Sequence, residues 1–306
     1  MEDYAALMEE HQFRPENIFN FDETMLIVGK KKLKVFTRRD GPVPVAKKAS
    51  KSFEHITLGV TVSASGFFLT PLVILPLQTL PELSLDLQDF YAIAGQSKGW
   101  IDTAIFRNTI EKIFVAEVDK KRIAAGKPND PVLLIVDQHS SRIGLDYETL
   151  FEKHNIYVLL LPPHSSTLLQ PLDLSVFGEF KDTLSHRFKV TQKEARSAQR
   201  QRLLTSARGA LERTLNPDTI KTGWRRSGLW PITPDKHINS PLVVPDPHQQ
   251  PSGNKKRHSI SLGHIRYKRV TLVPAAPLTS ILAVKKIRIH REHNKQTGLS
   301  EFSVME

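Results

Sequence analysis

Val132-Leu133-Leu134-Ile135-Val136-Asp137 is the stretch that decides how this chain is read. An uninterrupted apolar run, entered after Gly126, Pro128 and Asp130, stops at a carboxylate. Such a run reads as a strand buried on both faces. A polar loop and a helix-length segment follow, and then a second apolar run from Ile156 to Leu161. Two short buried strands joined through a helix make a βαβ unit with parallel strands. Beyond Pro162-Pro163 the chain continues His164-Ser165-Ser166-Thr167-Leu168-Leu169-Gln170-Pro171-Leu172-Asp173. Polar chemistry in open parallel sheets gathers at the carboxyl ends of the strands, where Asp137 is expected to stand.

Working outward, Ile18-Phe19-Asn20-Phe21-Asp22-Glu23-Thr24 alternates briefly and brings a second acid, Asp22, to a strand. Ile56, Leu58, Val60 and Val62 alternate in a half-buried strand, Ser65-Gly66 turns the chain, and Phe67 to Leu75 returns. This is a meander hairpin. Leu77 to Gly99 shows no period. Ile101-Asp102 opens an amphipathic helix with Ile105, Ile110, Ile113, Phe114 and Val118 on one face. The element order, three antiparallel strands followed by βαβα, is that of a ribonuclease-H-like fold: a mixed five-stranded sheet flanked by helices. Asp22 and Asp137 are then expected side by side at the carboxyl ends of parallel neighbours. A helix from Leu172 to about Val190 carries Asp173, Phe177, Phe180, Leu184 and Phe188 at 3.6-residue spacing, which predicts that Asp173 shares the face packed on the sheet. A carboxylate so placed demands a partner, and a metal ion shared with Asp22 and Asp137 would be one.

Composition narrows the partners. Over 306 residues, 43 lysines and arginines against 32 acids give a net charge of +11, which favours a polyanion, nucleic acid before a membrane surface. The absence of cysteine excludes disulfides and thiolate metal sites, and no apolar run reaches membrane-spanning length. No GxxxxGK[ST] phosphate loop occurs. A helix from Lys193 to Arg213 carries Arg196, Arg200, Arg202, Arg208 and Arg213 opposite Leu203, Leu204, Ala207 and Leu211; its basic face is either a phosphate contact or a solvated side. Asn216-Pro217-Asp218 starts a last helix that Gly228 ends. Residues 1–238 are therefore expected as one domain. Residues 239–306, Pro-rich and then basic at Lys255-Lys256-Arg257 and Arg266-Tyr267-Lys268-Arg269, are expected as a largely disordered tail.

Taken singly, each aspartate has an ordinary role: a turn, a loop cap, the first turn of a helix. The words around them are more specific. Asn20-Phe21-Asp22-Glu23-Thr24, Val136-Asp137-Gln138-His139-Ser140-Ser141, and Leu161-Pro162-Pro163-His164-Ser165-Ser166 with Leu169-Gln170-Pro171-Leu172-Asp173 resemble the DDE superfamily endonuclease domain. That is the transposase domain of pogo and Tigger elements, shared by the jerky and centromere-protein-B-like families. Gly99-Trp100-Ile101 and Gly223-Trp224-Arg225-Arg226-Ser227-Gly228-Leu229-Trp230-Pro231 resemble its GW step and closing helix, so the likeness runs from about Asn17 to Pro231.

The resemblance implies a catalytic and metal-binding triad of Asp22, Asp137 and Asp173, two Mg2+ or Mn2+ ions, DNA as partner and a nuclear address. Glu23, His139, Arg142, His164, Gln170 and Lys181 are candidates for contacts to DNA or to the waters around the site. Arg142 and Thr167 stand where the family often has histidine, and Met25 where it usually has glycine; none removes a metal ligand. Family members carry helix-turn-helix modules ahead of this domain, and 21 residues precede Asp22, so an orphaned or truncated catalytic domain is expected. No membrane partner is expected, and a homodimer is allowed but not required. The other reading of the same residues is a domesticated DNA- or chromatin-binding protein with weak or absent catalysis.

Overall fold

The computed structural model describes residues 2–28, 54–138, 147–189, 191, 194–233 and 236, together with three two-residue strands in the tail. Helix α1 (Glu2–His11) leads to β1 (Ile18–Val28), β2 (Glu54–Ser63), β3 (Leu72–Leu75), α2 (Leu85–Phe90) and β4 (Ala92–Gly95). A helical run follows as α3 (Thr103–Thr109), a π-helical turn (Ile110–Val115) and α4 (Ala116–Ala124). Then come β5 (Val132–Val136), α5 (Tyr147–Lys153), β6 (Ile156–Leu160), α6 (Ser166–Leu169), α7 (Pro171–Leu174), α8 (Val176–Arg187), α9 (Arg196–Thr214) and α10 (Pro217–Ser227).

The sheet order is β6-β5-β1-β2-β3-β4, with the two-residue strand β7 (Arg288–Ile289) at the β4 edge. β1, β2 and β3 are antiparallel neighbours, and β5 and β6 continue parallel to β1 on its other side. That is the ribonuclease-H-like arrangement expected from the element order. The sheet is wider than expected by β4, which pairs parallel to β3. Its sequence, Ala92-Ile93-Ala94-Gly95, has a single β-branched residue among small ones, and its pairing more than its propensity makes it a strand. The tail's expected disorder lies outside the described residues, apart from β7 and the hairpin β8–β9 (Glu292–His293 and Ser300–Glu301).

Alternation in β1 divides the core in two. Ile18, Leu26 and Val28 join Leu133 and Ile135 of β5 beneath α7 to α10, with Leu172, Val176, Phe177, Phe180, Leu204 and Trp224. Phe19 and Phe21 face the other way, with Leu134, Phe106 and Phe114. Phe19 and Phe114 meet edge to face at 5.2 Å. Helix starts follow the sequence signals: Asp102 accepts a hydrogen bond from the Ile105 N–H at 2.9 Å and Asn216 from the Thr219 N–H at 2.9 Å. Gly228 closes α10 at φ 69°.

Candidate active site

The parallel pairing of β1 and β5 runs Ile18 with Leu133, Phe19 with Leu134 and Asn20 with Ile135. Carried two residues further, past the end of β5 at Val136, the same register would put Asp22 opposite Asp137, at a strand spacing of about 4.8 Å. Both continue the side of the sheet occupied by Ile18, Leu133 and Ile135, the side covered by α7 to α10. Asp22 is 8% exposed and Asp137, just past the end of β5, is half-buried.

The third aspartate arrives on α7, and the docking of that helix is specific. Asn20, wholly buried, donates from Nδ2 to the Ile135 carbonyl at 3.0 Å and accepts at Oδ1 from the Leu172 N–H at 3.3 Å. Gln170 Nε2 donates to the Phe21 carbonyl at 3.5 Å. From the other side α10 presses on α7: a Cβ on Gly223 would collide with the Pro171 carbonyl and Ser175 Oγ, so only glycine permits this approach. Arg226 Nη1 donates to the Leu174 carbonyl at 2.8 Å. Asp173 thus follows a residue bonded to β1 two positions before Asp22, which lies within β1 (Ile18–Val28) and not at the strand's carboxyl end as expected, because β1 continues past it in its pairing with β2.

Asp173 does not lie on the buried helical face, contrary to the expectation from spacing. The backbone breaks at Ser175 (φ −146°, ψ −72°), which separates α7 from α8 and resets the helical phase. Leu172 and Val176 turn inward instead, and Asp173 is exposed. Neighbouring protein still crowds its carboxyl group, which raises the pKa above the ordinary value, and Lys181 offsets part of that rise. Lys181 itself is exposed, with Nζ 5.8 Å from the Phe177 ring centre.

The remaining candidates separate. Glu23, one residue from Asp22 in an extended strand, faces the opposite side of the sheet and does not join the aspartates. His164 is exposed, in a turn at φ 61°. Gln170 is wholly buried, and its Oε1 has no hydrogen-bond partner. His139 and Arg142 lie outside the described residues. The arginines of α9 are largely committed to acids: Arg200 is bidentate on Glu54 at 2.9 to 3.1 Å, Arg202 bonds Glu194, and Arg208 bonds Glu212 and Asp86. That face is mostly a set of intramolecular ion pairs. Asn20 was not singled out from sequence, although a polar residue at an inward position of an apolar strand is itself a signal.

Among the described residues no group of three histidine, cysteine or acidic side chains is close enough to hold a metal ion as placed. The donor set nevertheless suits a hard cation. It offers carboxylates from two adjacent strand positions, a third on the docked helix, and the orphaned buried oxygen of Gln170. No helix among the described residues is long and apolar enough to cross a membrane.

Known proteins resemble this chain. A protein named MFS-type transporter clz9 from Cochliobolus lunatus is 29% identical over 229 residues, 72% of this chain and 24% of that protein. Jerky protein from Mus musculus is 25% identical over 178 residues, 58% of this chain and 31% of that protein. The chain therefore spans less than a third of the length of these relatives. Among solved structures, the catalytic domain of Mos1 mariner transposase aligns with a TM-score of 0.44 and 14% identity over 76% of this chain and 83% of that one. The model of the DDE superfamily endonuclease family matches residues 54–224, more than half of the chain, and the chain belongs to that family.

Proposed function

We propose that this domain is a metal-dependent DNA endonuclease of the transposase type, with Asp22, Asp137 and Asp173 as metal ligands. The observation that supports the reading is the β1–β5 register, whose last pair, Asn20 with Ile135, would by continuation put Asp22 opposite Asp137, while Gln170 and Leu172 are bonded to β1 immediately before Asp22. Two Mg2+ or Mn2+ ions held there would activate a water or a 3′-hydroxyl and stabilise the leaving oxygen of a phosphodiester. The chain's own residues bind and orient. Asp22 and Asp137 fix one edge of the site on rigid strands, and Asp173 approaches from a helix whose exposure leaves room for substrate. The buried Oε1 of Gln170 is available to a water in the site. Lys181 lies close enough to influence Asp173 and is placed to meet a phosphate. DNA as partner and a nuclear address accord with the net charge of +11 and with the pogo, Tigger and jerky resemblance.

One observation favours a second reading, a DNA- or chromatin-binding protein with weak catalysis: the described acids form no ready metal cluster, and Asp173 is exposed. Nicking of supercoiled plasmid separates the two. The purified protein is expected to nick in Mn2+, to stop in chelator, and to lose activity in Asp137→Asn. Undiminished DNA binding with no nicking in either protein supports the second reading.

A further inference from the structure

Asn20 holds a position that the aspartate triad alone does not explain. It is wholly buried on the sheet face of Asp22, two residues upstream of it. Its side chain uses both ends. Nδ2 donates to the carbonyl of Ile135, two residues before Asp137, and Oδ1 accepts from the N–H of Leu172, one residue before Asp173. One amide therefore bonds to the other two aspartate-bearing segments while sitting on the first.

The second bond has a definite purpose. Helix α7 begins at Pro171, its preceding residue Gln170 provides no side-chain cap, and proline has no N–H. The Leu172 N–H is then among the first amides of that short helix without an intrahelical acceptor, and it is buried. Asn20 supplies the missing cap from 152 residues away in sequence. α10 closes the helix from the other side, through the glycine contact at Gly223 and the bond from Arg226.

Resting on the endonuclease reading above, we infer that Asn20 is the positioning residue of the site, the side chain that holds β1, β5 and α7 in the relative placement from which Asp22, Asp137 and Asp173 would converge on a metal ion. It touches no substrate. Its role is to keep the exposed Asp173 within reach of the acids on the strands, and it acts through Leu172 and Ile135. Partners that orient metal ligands commonly govern metal affinity by about 10- to 100-fold when removed.

The test compares the whole chain with Asn20→Ala and Asn20→Asp. Mn2+ binding is read by electron paramagnetic resonance, and amide exchange by mass spectrometry of peptides covering residues 170–175 and 132–136. In Asn20→Ala, exchange in 170–175 is expected to quicken well beyond any change in the β3 peptide, and Mn2+ affinity to fall about 10- to 100-fold. In Asn20→Asp a carboxylate still accepts from the Leu172 N–H, so protection of 170–175 should largely return. If Asn20→Ala folds too poorly to measure, Asn20→Ser, which admits water to the vacated space, carries the same comparison. Unchanged exchange in 170–175, or acceleration of every core peptide by one common factor, overturns the assignment in favour of general packing. A wild type that takes up no Mn2+ defeats the metal reading on its own, and the exchange arm still decides whether Asn20 holds the three segments.

Discussion

At the amino end of β5, acids and cations are matched; past its carboxyl end lies Asp137, one of the three aspartates proposed as metal ligands. Asp119 on α4 bonds Arg122 and sits 2.6 Å from His154 Nδ1. Arg122, 3% exposed, also donates to the carbonyls of Asp130 and His154, at 2.6 and 2.8 Å. Asp130 pairs with Arg14 ahead of β1. Burial alone would raise the Asp119 pKa, but the bonds from His154 and Arg122 and the arginine's charge outweigh it and hold the carboxyl below its ordinary value. At the other end Asp173 shows the opposite balance, its carboxyl raised by crowding that Lys181 only partly offsets. A scaffold matches its buried charges internally. A binding site holds charges that a ligand completes, and on the proposed reading the carboxyl end of β5 is such a site.

The largest effect should come from breaking the matched end. Arg122→Met leaves Asp119 half-buried beside His154 and strands two carbonyls that the guanidinium had satisfied. Losing one partner of a buried ion pair costs about 3–5 kcal/mol. At about 2–4 °C per kcal/mol for a domain of this size, the melting temperature should fall by roughly 10 °C. A loss below about 1 kcal/mol in a denaturant titration would mean that the cluster is solvated and the contrast between the two ends is false.

A pH series sharpens the same contrast. Because the folded-state pKa of Asp119 is depressed, its contribution to stability is complete above the ordinary aspartate value of about 4 and is lost as pH falls through the lower folded value. The wild type should therefore lose melting temperature below about pH 4 more steeply than Asp119→Asn, which starts lower and has less to lose. Parallel curves would show that Asp119 is not held by its partners.

The matched end was hard to read from sequence, and so was the way the other end is assembled. β1, β5, β6 and the helix after Asp102 were legible because long apolar or alternating runs are properties of contiguous residues. The parallel pairing of β1 with β5 was legible for the same reason, since it follows from the element order. β4 escaped notice because alanine and glycine carry no strand signal, and its pairing with β3 makes it one. Asp173 was assigned to the wrong face because the period of 3.6 was carried through Ser175, where the helix breaks. Arg208 with Glu212 is a local i,i+4 pair, but the acids Glu54 of Arg200 and Asp86 of Arg208 lie 146 and 122 residues away, and no local pattern announces them. Asn20 belongs to the same class, since both of its bonds cross more than 100 residues.

Those arginine pairings lead to a prediction on DNA binding. Arg202 and Arg208 are already matched to carboxylates, so converting either to glutamine should leave the slope of log affinity against log salt unchanged. Lys181, exposed beside the acidic end, should behave differently. Lys181→Gln is expected to lower that slope by about 1 and to weaken binding to all sequences alike. Titrations between about 50 and 200 mM salt measure it. Equal effects at Lys181 and Arg208 would return the α9 face to the DNA interface.

The smallest effect, and the most direct test of the contrast, belongs to Asp137→Asn. Point substitutions usually destabilise, by about 1 kcal/mol at the centre of the distribution. This one keeps the shape of the side chain and removes one of the charges that the register sets beside Asp22. Two carboxylates about 4 Å apart repel by about 1 kcal/mol in water and about 4 kcal/mol at an effective dielectric of 20. In chelator, therefore, Asp137→Asn should melt at the same temperature as the wild type or slightly above it. In excess Mg2+ or Mn2+ the order should reverse, because an ion that binds the folded wild type stabilises it by mass action and the variant lacks a ligand. The sign is the argument, since at the amino end of β5 the corresponding change, Asp119→Asn, should destabilise whether or not metal is present. If Asp137→Asn lowers the melting temperature by several degrees in chelator, and divalent ions move neither protein, Asp137 is a structural acid like Asp119. The two ends of β5 would then differ in arrangement but not in kind, and the non-catalytic reading would take the place of the nuclease.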